Sequence, residues 1–209
     1  MSKAQNPLTG CMSGSMANFV TTTRGGQNII RSKAFNPRDA NTAAQQLHRA
    51  CFKLIGSEYL SFGGLADQSF PERMPNQSGY NMFMSANLPE AIDKSGEVPV
   101  VDYSKLKISG GTLLKVTVSN ATIVAEGVRI SYQSRLRLPT VNATDEVIVV
   151  LRTHNDELYI DSQARGETPE STILLNCPGI KAADVKCCYL YVKNANGSKA
   201  SDSTYIVLN

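Results

Sequence analysis

The sequence predicts an α+β protein with an extended N-terminal arm and hairpin, a two-helix segment and a C-terminal antiparallel β-sandwich of Ig or fibronectin type III kind. Three observations carry this prediction. Runs of Val, Ile and Thr flank a Gly pair near the start, apolar residues recur at helical spacing in the middle, and short strand-like runs follow one another to the end. We therefore divide the chain into an arm (1–35), a helical segment (36–95) and a sandwich domain (96–209).

The arm begins with a stretch that has the form of a bacterial lipobox, Leu8-Thr9-Gly10-Cys11. A secretory signal needs an apolar stretch of about 7–15 residues before such a site. The residues before Cys11 are mostly polar, with Pro7 among them. The sequence therefore predicts a polar, extended arm rather than a lipid anchor, in a protein that is assembled in the cytoplasm.

A β-hairpin is predicted in the second half of the arm, within "ANFVTTTRGGQNIIRSKAF". Asn18–Thr23 and Gln27–Lys33 are rich in Val, Ile and Thr, which suit extended structure. Arg24-Gly25-Gly26 supplies the positive φ angles of a tight turn. An isolated hairpin is marginally stable in water. It must therefore pack either on its own body or on a neighbouring molecule.

Two helices are predicted in the middle segment. The first begins at a capping box in which Thr42 is followed by Gln45. An irregular link, with Gly63-Gly64 and the prolines Pro71 and Pro75, precedes the second. The residues predicted to face a core are Leu47, Ala50, Cys51, Leu54 and Glu58 in the first helix and Tyr80, Phe83, Met84, Asn87 and Leu88 in the second.

The last segment is predicted to be strand after strand, with polar turns about every 8–12 residues, which is typical of a β-sandwich. The signature Cys…Trp…Cys spacing of true Ig domains is absent from the sequence, so the likeness is one of architecture. The predicted strands are Val98–Tyr103, Lys105–Ser109, Leu113–Ser119, Gly127–Tyr132, Glu146–Thr153, Glu157–Gln163, Thr172–Asn176, Cys187–Lys193 and Thr204–Leu208.

No motif in the sequence indicates catalysis, a metal or a cofactor. The densest titratable cluster is His154, Asp156 and Glu157, which we expect to be solvated at a hairpin tip. Five cysteines without a C-x-x-C spacing predict reduced thiols rather than a zinc or redox site. Adjacent Cys187 and Cys188 should face opposite sides of a strand. We therefore expect a non-enzymatic protein without a cofactor or a small-molecule substrate.

The charge is unevenly distributed along the chain, whose formal net charge is +3. Residues 1–55 hold seven basic side chains against one acidic, Asp39, for a net +6, whereas the remainder holds 14 basic and 17 acidic, for a net −3. A basic arm on an acidic body favours docking between subunits. Nucleic-acid binding through the basic segment is the alternative, although aromatic residues are sparse among its basic residues.

Two quoted stretches carry a family resemblance: "NPLTG…GSMANFVTTTRGGQNIIRSK" and "NPRDANTAAQQLHRACF". Together they resemble domain of unknown function 6266, an uncharacterised family from Bacteroidota and their phages. The resemblance implies an N-terminal arm, a glycine-flanked hairpin, a helix with an Asn-Pro-x-Thr-x-x-Gln-x-x-x-Arg-x-x-Phe motif and a C-terminal β-sandwich. The helix motif falls on Asn36, Pro37, Gln45 or Gln46, Arg49 and Phe52.

The chain departs from the family pattern in two places. The motif threonine is displaced to Thr42, and Thr23-Arg24-Gly25 stands where the family usually has an aromatic residue, Lys and Gly. The closing "SDSTYIVLN" is similar to the family's Ser-Asn-Ser-x-Tyr-Val ending. The same arrangement of arm and helix is similar to that of some phage virion proteins, which implies a structural component and carries over no catalytic residue.

The leading hypothesis is therefore a non-enzymatic structural protein of a phage virion, a ring-forming neck, tail or head–tail connector subunit that is assembled in the host cytoplasm. Its expected partners are copies of itself and other virion proteins, with no membrane. The residues predicted to contact a neighbouring subunit are Phe19, Arg24, Ile29, Ile30, Arg31, Lys33, Phe35 and Arg38.

Two other classes of function stay open at this point. A bacterial cell-surface protein could use the sandwich as an adhesion module, but it would need export. A nucleic-acid-binding accessory protein would work through Arg24, Arg31, Lys33 and Arg38, and its binding should weaken steeply with salt.

Overall fold

The chain folds into two compact units. A computed structural model describes residues 2–4, 10, 12–35, 39–96, 98–135 and 141–208. In these residues the chain forms three α-helices and 13 strands in four antiparallel sheets, so the predicted α+β class is confirmed. The N-terminal unit comprises Met1–Gln45 and Met74–Gln77, and the body unit comprises Gln46–Arg73 and Ser78–Asn209.

The body begins with three consecutive α-helices and then continues in strands. The helices are α1 (Ala43–Ser61), α2 (Leu65–Ser69) and α3 (Gly79–Asn87), with a 3-10 helix at Ala182–Asp184. The strands are β1 (Ser2–Ala4), β2 (Gly14–Met16), β3 (Phe19–Arg24), β4 (Gln27–Ser32), β5 (Ile92–Asp93), β6 (Val100–Val101), β7 (Thr117–Val124), β8 (Gly127–Gln133), β9 (Glu146–Thr153), β10 (Leu158–Ala164), β11 (Glu170–Asn176), β12 (Val185–Lys193) and β13 (Thr204–Tyr205).

The N-terminal unit contains one sheet, with strand order β1-β4-β3-β2. Its centre is the predicted hairpin of β3 and β4, in which Arg24 pairs with Gln27 across the turn. The two turn residues, Gly25 and Gly26, have φ angles of 57° and 73°. Positive φ at both positions is what a type I′ hairpin turn requires, and glycine adopts it without steric cost. The sequence prediction of this hairpin is therefore confirmed.

The body unit contains two larger sheets, with strand orders β10-β9-β12-β13 and β11-β8-β7. They share one apolar core cluster, to which β9 contributes Val147, Val149 and Leu151 and β12 contributes Leu190 and Val192. The facing strands supply Val128, Ile130, Ile173 and Leu175 to the same cluster. Side chains from both sheets fill this layer, which is how two packed sheets bury their inner faces.

The opposite face of β9 and β12 is buried as well, under the helices. Ile148, Val150 and Tyr189 belong to a second core cluster that includes Ile55 of α1 and Phe83 of α3. The body therefore has three layers: the helices, the sheet that contains β9 and β12, and the sheet that contains β8 and β11. Cys187 lies in the helix-side cluster and Cys188 in the sheet-side cluster, so the prediction that they face opposite sides is confirmed.

Helix α1 begins at the predicted capping box. The Gln45 backbone N–H donates to Thr42 Oγ1 at 3.3 Å, and the Thr42 N–H donates to Gln45 Oε1 at 3.2 Å. The predicted core side is correct from Cys51 onward. Leu47 and Ala50 are exposed, so that part of the prediction is wrong, because the core cluster meets the helix only from Cys51.

The strand prediction is wrong for Lys105–Ser109, which forms a loop. Two of its backbone N–H groups bind side chains rather than a neighbouring strand. The Lys107 N–H donates to Asn87 Oδ1 at 2.7 Å and the Ile108 N–H to Ser203 Oγ at 3.0 Å. The apolar residues Leu106 and Ile108 are nevertheless buried. Their burial without a strand is what made the sequence pattern misleading.

Four further parts of the chain differ from the prediction. Within Val98–Tyr103 only β6 is a strand, and Leu113–Ser119 becomes β7, which starts four residues later and runs on to Val124. The link that was predicted as irregular contains the short helix α2. The predicted strand Thr204–Leu208 is a strand only in β13.

Candidate functional site

The N-terminal sheet presents two different faces. Because cross-strand partners share a face, the register Thr21 to Ile30 places Phe19 and Ile30 together. The other face carries Arg24, Ile29 and Arg31. The structure thus brings the predicted contact residues into one sheet but divides them between an aromatic-aliphatic face and a basic face.

The first face is organised by the carboxamide of Asn28, which is buried. Its Oδ1 accepts from the Met12 backbone N–H at 3.0 Å and from the Thr23 hydroxyl at 2.7 Å, while its Nδ2 donates to the Gly10 carbonyl at 2.6 Å. Thr23 Oγ1 also lies 3.0 Å from the Met12 carbonyl oxygen. Asn28 therefore fastens the segment that precedes β2 onto the hairpin.

Replacement of Asn28 by alanine is expected to release that segment and destabilise the N-terminal sheet. The change removes three hydrogen bonds and leaves the partly buried Thr23 hydroxyl with one partner fewer, a loss of about 1–3 kcal/mol in local stability. Amide hydrogen exchange of residues 12–32, followed by mass spectrometry, measures it. Exchange in β9 and β12 of the same sample is the control and should not change. Unchanged exchange at Met12 would contradict the role of Asn28.

A turn from later in the chain belongs to the same unit. Arg24 Nη2 donates to the Asn76 carbonyl oxygen at 3.2 Å. A Cβ atom on Gly25 would lie 2.7 Å from Asn76 Nδ2, so the Asn76 side chain lies directly against the hairpin turn. The 74–77 turn thus closes over the hairpin tip, a contact that the sequence analysis did not anticipate.

The N-terminal unit buries almost nothing. Among its residues whose side chains the structure describes, only Thr21 and Asn28 are buried, and both are polar. Met16 is 63% exposed and Phe19 is 51% exposed. A sheet is stabilised by burying an apolar face against another layer. This sheet has the apolar side chains for such a layer but does not bury them.

The segment that follows β4 holds the remaining predicted contact residues. The Lys33 backbone N–H donates to the Asn18 carbonyl at 2.7 Å, which extends the hairpin pairing by one residue. Phe35 is 74% exposed. Arg38 lies outside the residues that the structure describes, as do Asn36 and Pro37.

The body unit contains a buried ion-pair network that sequence reasoning missed. Arg152 of β9 is 3% exposed, and its Nη1 lies 2.5 Å from Glu58 Oε2 of α1. Its Nε and Nη2 donate to Asp156 Oδ1 at 3.0 and 2.6 Å. The Tyr103 hydroxyl donates to Glu58 Oε1 at 2.9 Å. The signals were in the sequence: a carboxylate on the core side of a helix and an arginine at the end of an apolar strand.

This network explains the predicted titratable cluster. His154 and Glu157 are exposed, as expected for a hairpin tip. Hydrogen bonds from Arg152 hold the pKa of Asp156 below its ordinary value, and Lys186 lies 3.6 Å away. Burial raises the pKa of Tyr103, and the Glu58 carboxylate adds to the effect. Every charged group in the network has a partner of opposite charge. The network therefore acts structurally, as a lock that joins α1 to β9.

A second buried arginine fastens loops of the sandwich. Arg165 is fully buried, and its Nε donates to Ser134 Oγ at 3.3 Å while its Nη1 donates to the Leu114 carbonyl at 3.2 Å. Asp145 Oδ2 lies 3.8 Å from Nη1. Burial lowers the pKa of this guanidinium. The group joins three loops, and Asp145 and Tyr132 oppose the effect of burial on its pKa.

The described cysteines are buried free thiols: Cys51, Cys177, Cys187 and Cys188. Burial raises the pKa of Cys187 to about 11 and also raises that of Cys188. A reactive cysteine needs an accessible thiolate, and all four of these thiols are buried. Within the described residues, no group of three or more His, Cys, Asp and Glu side chains is placed to hold a metal ion.

Two open grooves lie on the body unit. The first, which we name the acidic groove, has a volume of about 550 Å³, and its lining includes Phe70, Glu72, Met82, Ser85, Ala86, Lys107 and Asp202. The second, the neutral groove, has a volume of about 460 Å³, and its lining includes Phe62, Glu146, Ile148, Ile160, Ser162, Tyr191 and Lys193. Both have more apolar than polar lining, which suits the docking of a side chain rather than catalysis.

These features define an α+β protein. Its N-terminal sheet leaves most of its side chains exposed, and in its body helices pack on one of two stacked β-sheets. The chain belongs to a family of unknown function, DUF6266, whose match extends over residues 11–207. The family resemblance that the sequence motifs predicted is thereby confirmed. No curated protein matches the chain. In the described part of the chain, no helix is long and apolar enough to cross a membrane.

Proposed function

We propose that this protein is a non-enzymatic structural subunit that joins copies of itself through its N-terminal sheet. One observation carries the proposal: none of the described apolar side chains of that sheet is buried. They are Met16, Phe19, Val20, Ile29 and Ile30. A layer that cannot complete its own core is completed by a partner. The virion of a phage is the setting that the resemblance implies, with the subunit in a ring of the neck, tail or connector.

Physical size supports an intermolecular role for this sheet. Its strands are three or six residues long. Short strands with one uncovered face yield little hydrophobic stabilisation, because the stabilisation scales with the apolar area removed from water. The outer edges of β1 and β2 also carry backbone groups that no strand of this sheet pairs. Uncovered edges and apolar faces together favour association with another chain.

The strand order of the body supports the fibronectin type III form of the sandwich. In β7 to β13, the first, second and fifth strands form one sheet, and the fourth, third, sixth and seventh form the other. In an Ig constant domain the fourth strand would lie beside the fifth. Here β10 instead pairs with β9, the arrangement of a fibronectin type III domain.

The charge distribution supports head-to-tail contacts. Residues 1–55 carry a net +6 and the remainder a net −3. Within the arm, residues 1–35 hold Lys3, Arg24, Arg31 and Lys33 and no acidic residue, and this positive charge favours the contact of one copy's arm with the next copy's body. Such heterologous contacts close into rings when the rotation between copies permits. An arm that docks on the next subunit is the simplest use of this asymmetry.

The proposal is tested by sedimentation velocity and negative-stain imaging of the full chain and of three single variants. Phe19→Asp places a charge on the aromatic-aliphatic face and Arg31→Glu reverses one on the basic face. We expect at least one of them to weaken self-association by about tenfold or more, since anchor residues at interfaces contribute more than about 1.4 kcal/mol. Val207→Asp, at an exposed apolar position of the body, is the control. A full chain that sediments as a monomer at all concentrations tested would refute the proposal.

Binding to nucleic acid is a second candidate, which Arg24 and Arg31 on one face of the sheet favour. It predicts that the full chain binds a DNA or RNA duplex with an affinity that falls steeply as salt is added. Arg31→Glu would then abolish that binding while Phe19→Asp leaves it intact. The two candidates are separated by the property that changes, since the first predicts a loss of self-association and the second a loss of duplex binding.

A further inference from the structure

We propose that the acidic groove of one copy receives the segment Lys33–Phe35 of a second copy, with the Phe35 ring in the groove and Lys33 at its rim. This inference rests on the proposed function and names the acceptor surface for the arm. It commits to a second copy of this chain as the occupant. The argument comes from the lining of the groove, its charge and the exposure of Phe35.

The groove offers an apolar floor of the right kind for an aromatic ring. Phe70, Met82 and Ala86 line it, together with the backbone of Gly110 and Gly111. Methionine adapts its shape and makes favourable contacts with aromatic rings. A volume of about 550 Å³ leaves room for one aromatic side chain and the peptide that carries it.

The rim of the groove is negatively charged and held in place. Glu72 Oε2 accepts from the Thr112 backbone N–H and Oε1 from the Thr112 hydroxyl, both at 2.6 Å. Asp202 Oδ1 lies 3.4 Å from the Gly111 N–H. The one lysine on the lining, Lys107, lies 3.7 Å from Glu90, so its charge is already matched. The lining therefore presents two carboxylates to a basic partner.

The proposed guest has the complementary character. Phe35 is 74% exposed, the largest exposure among the aromatic side chains that the structure records as exposed. Lys33, two residues before it, is also exposed, while its backbone is bonded to Asn18. A basic residue beside an exposed aromatic matches an apolar floor between carboxylates. Aromatic residues are also the side chains that most often anchor an interface.

The neutral groove does not offer this match. Its two charged residues, Glu146 and Lys193, are cross-strand partners in β9 and β12, so their charges offset each other. Its apolar lining is similar to that of the acidic groove in kind. Charge alone therefore selects the acidic groove for a basic guest, and the neutral groove serves as an internal control.

The decisive experiment compares two groove-filling variants of the full chain. Ser85 is exposed on α3 in the acidic groove and Ser162 is exposed on β10 in the neutral groove. We expect Ser85→Trp to weaken self-association, measured by sedimentation velocity, by about tenfold or more, and Ser162→Trp to leave it within about twofold. Circular dichroism of both variants checks that the fold is retained. The reverse pattern, or no effect of Ser85→Trp, overturns the inference.

A charge exchange provides a second, independent readout. Asp202→Lys and Lys33→Glu should each weaken self-association, because each places like charges at the proposed contact. The two variants mixed should assemble better than either alone, since the Asp202→Lys groove then meets the Lys33→Glu arm. A mixture that assembles no better than the separate variants counts against the contact.

Crosslinking distinguishes a second copy from the chain's own arm. A photoreactive benzoylphenylalanine in place of Phe35 is placed in ¹⁴N-labelled protein, which is mixed with ¹⁵N-labelled wild type before illumination. Crosslinks from the probe to ¹⁵N-labelled α3 or to residues 107–112 support the inference, whereas crosslinks confined to the same chain, or to β10, overturn it. If wild type assembles and Phe19→Asp or Arg31→Glu weakens it while Ser85→Trp does not, the proposed function stands and only the acceptor surface is wrong. A monomeric wild type removes both.

Discussion

Arg152→Ala is expected to lower the free energy of unfolding of the body unit by about 3–5 kcal/mol, measured by urea unfolding near neutral pH with a thiol reductant present. The guanidinium is 3% exposed and joins α1 to the end of β9 through Glu58. Its removal leaves the Glu58 carboxylate buried without a compensating charge. Breaking one half of a buried pair is strongly destabilising for that reason.

Two further variants separate the buried charge from the exposed one. Asp156→Asn removes the partner that lies at the surface, and its effect should be a small fraction of that of Arg152→Ala, because solvent screens exposed ion pairs. The double variant Arg152→Met with Glu58→Gln removes both buried charges and should recover much of the loss. If Arg152→Ala unfolds at the same urea concentration as wild type, the network is not the lock between helix and sheet that its geometry indicates.

The same network shows why sequence reasoning reached the elements of the body but not its layers. The stretches "EVIVVLRTH" and "CCYLYVKN" predict strands, and β9 matches its predicted bounds. Both stretches are predicted as strands of a β-sandwich, without helices packed on them. Their runs of consecutive apolar residues instead indicate strands buried on both faces. That signal, combined with an apolar stripe on α1 that needed a partner, predicts helices packed on the sheet.

Local chemistry was predictable where neighbouring residues decide the conformation. The Gly25-Gly26 turn and the Thr42 capping box both follow from residues a few positions apart, and both are confirmed. Long-range partners were not predictable in the same way. The Asn28 side chain binds backbone groups of Gly10 and Met12, and the Asn87 side chain accepts from the Lys107 backbone N–H where a strand was predicted. A single sequence gives no sign of which polar side chain will meet which distant backbone group.

The candidate site shows the same division. Periodicity placed Phe19 and Ile30 on strands, but only the cross-strand register reveals that they share a face opposite to Arg24, Ile29 and Arg31. The acidic groove combines α3, the loop after Ile108 and Asp202 near the C-terminal end, segments far apart in sequence. No local pattern marks such a groove. The charge asymmetry of the chain was the one sequence feature that indicated a docking surface for the arm.

Gly127→Ala is expected to destabilise the sandwich by about 2–6 kcal/mol, because two separate costs add at this residue. A Cβ atom there would lie 2.0 Å from the Leu175 carbonyl oxygen and 2.7 Å from the Cys177 backbone nitrogen. Both neighbours are backbone atoms at the end of β11, so neither can move aside without opening the pairing of β8 with β11. Overpacking of a fixed site costs about 1–3 kcal/mol.

The second cost is conformational. Gly127 has a φ of +149°, and any residue other than glycine is strained at that angle by about 1–3 kcal/mol. Gly179→Ala is the matched control: its φ is +80°, and a Cβ atom would meet nothing within 4 Å. It should lose only the conformational share, about 1–2 kcal/mol. Urea unfolding of the two variants beside wild type measures the difference, which isolates the collision with β11. Equal losses in both variants would mean that β11 yields to the added methyl group, and that the edge of the sandwich where β7, β8 and β11 meet is softer than its register implies.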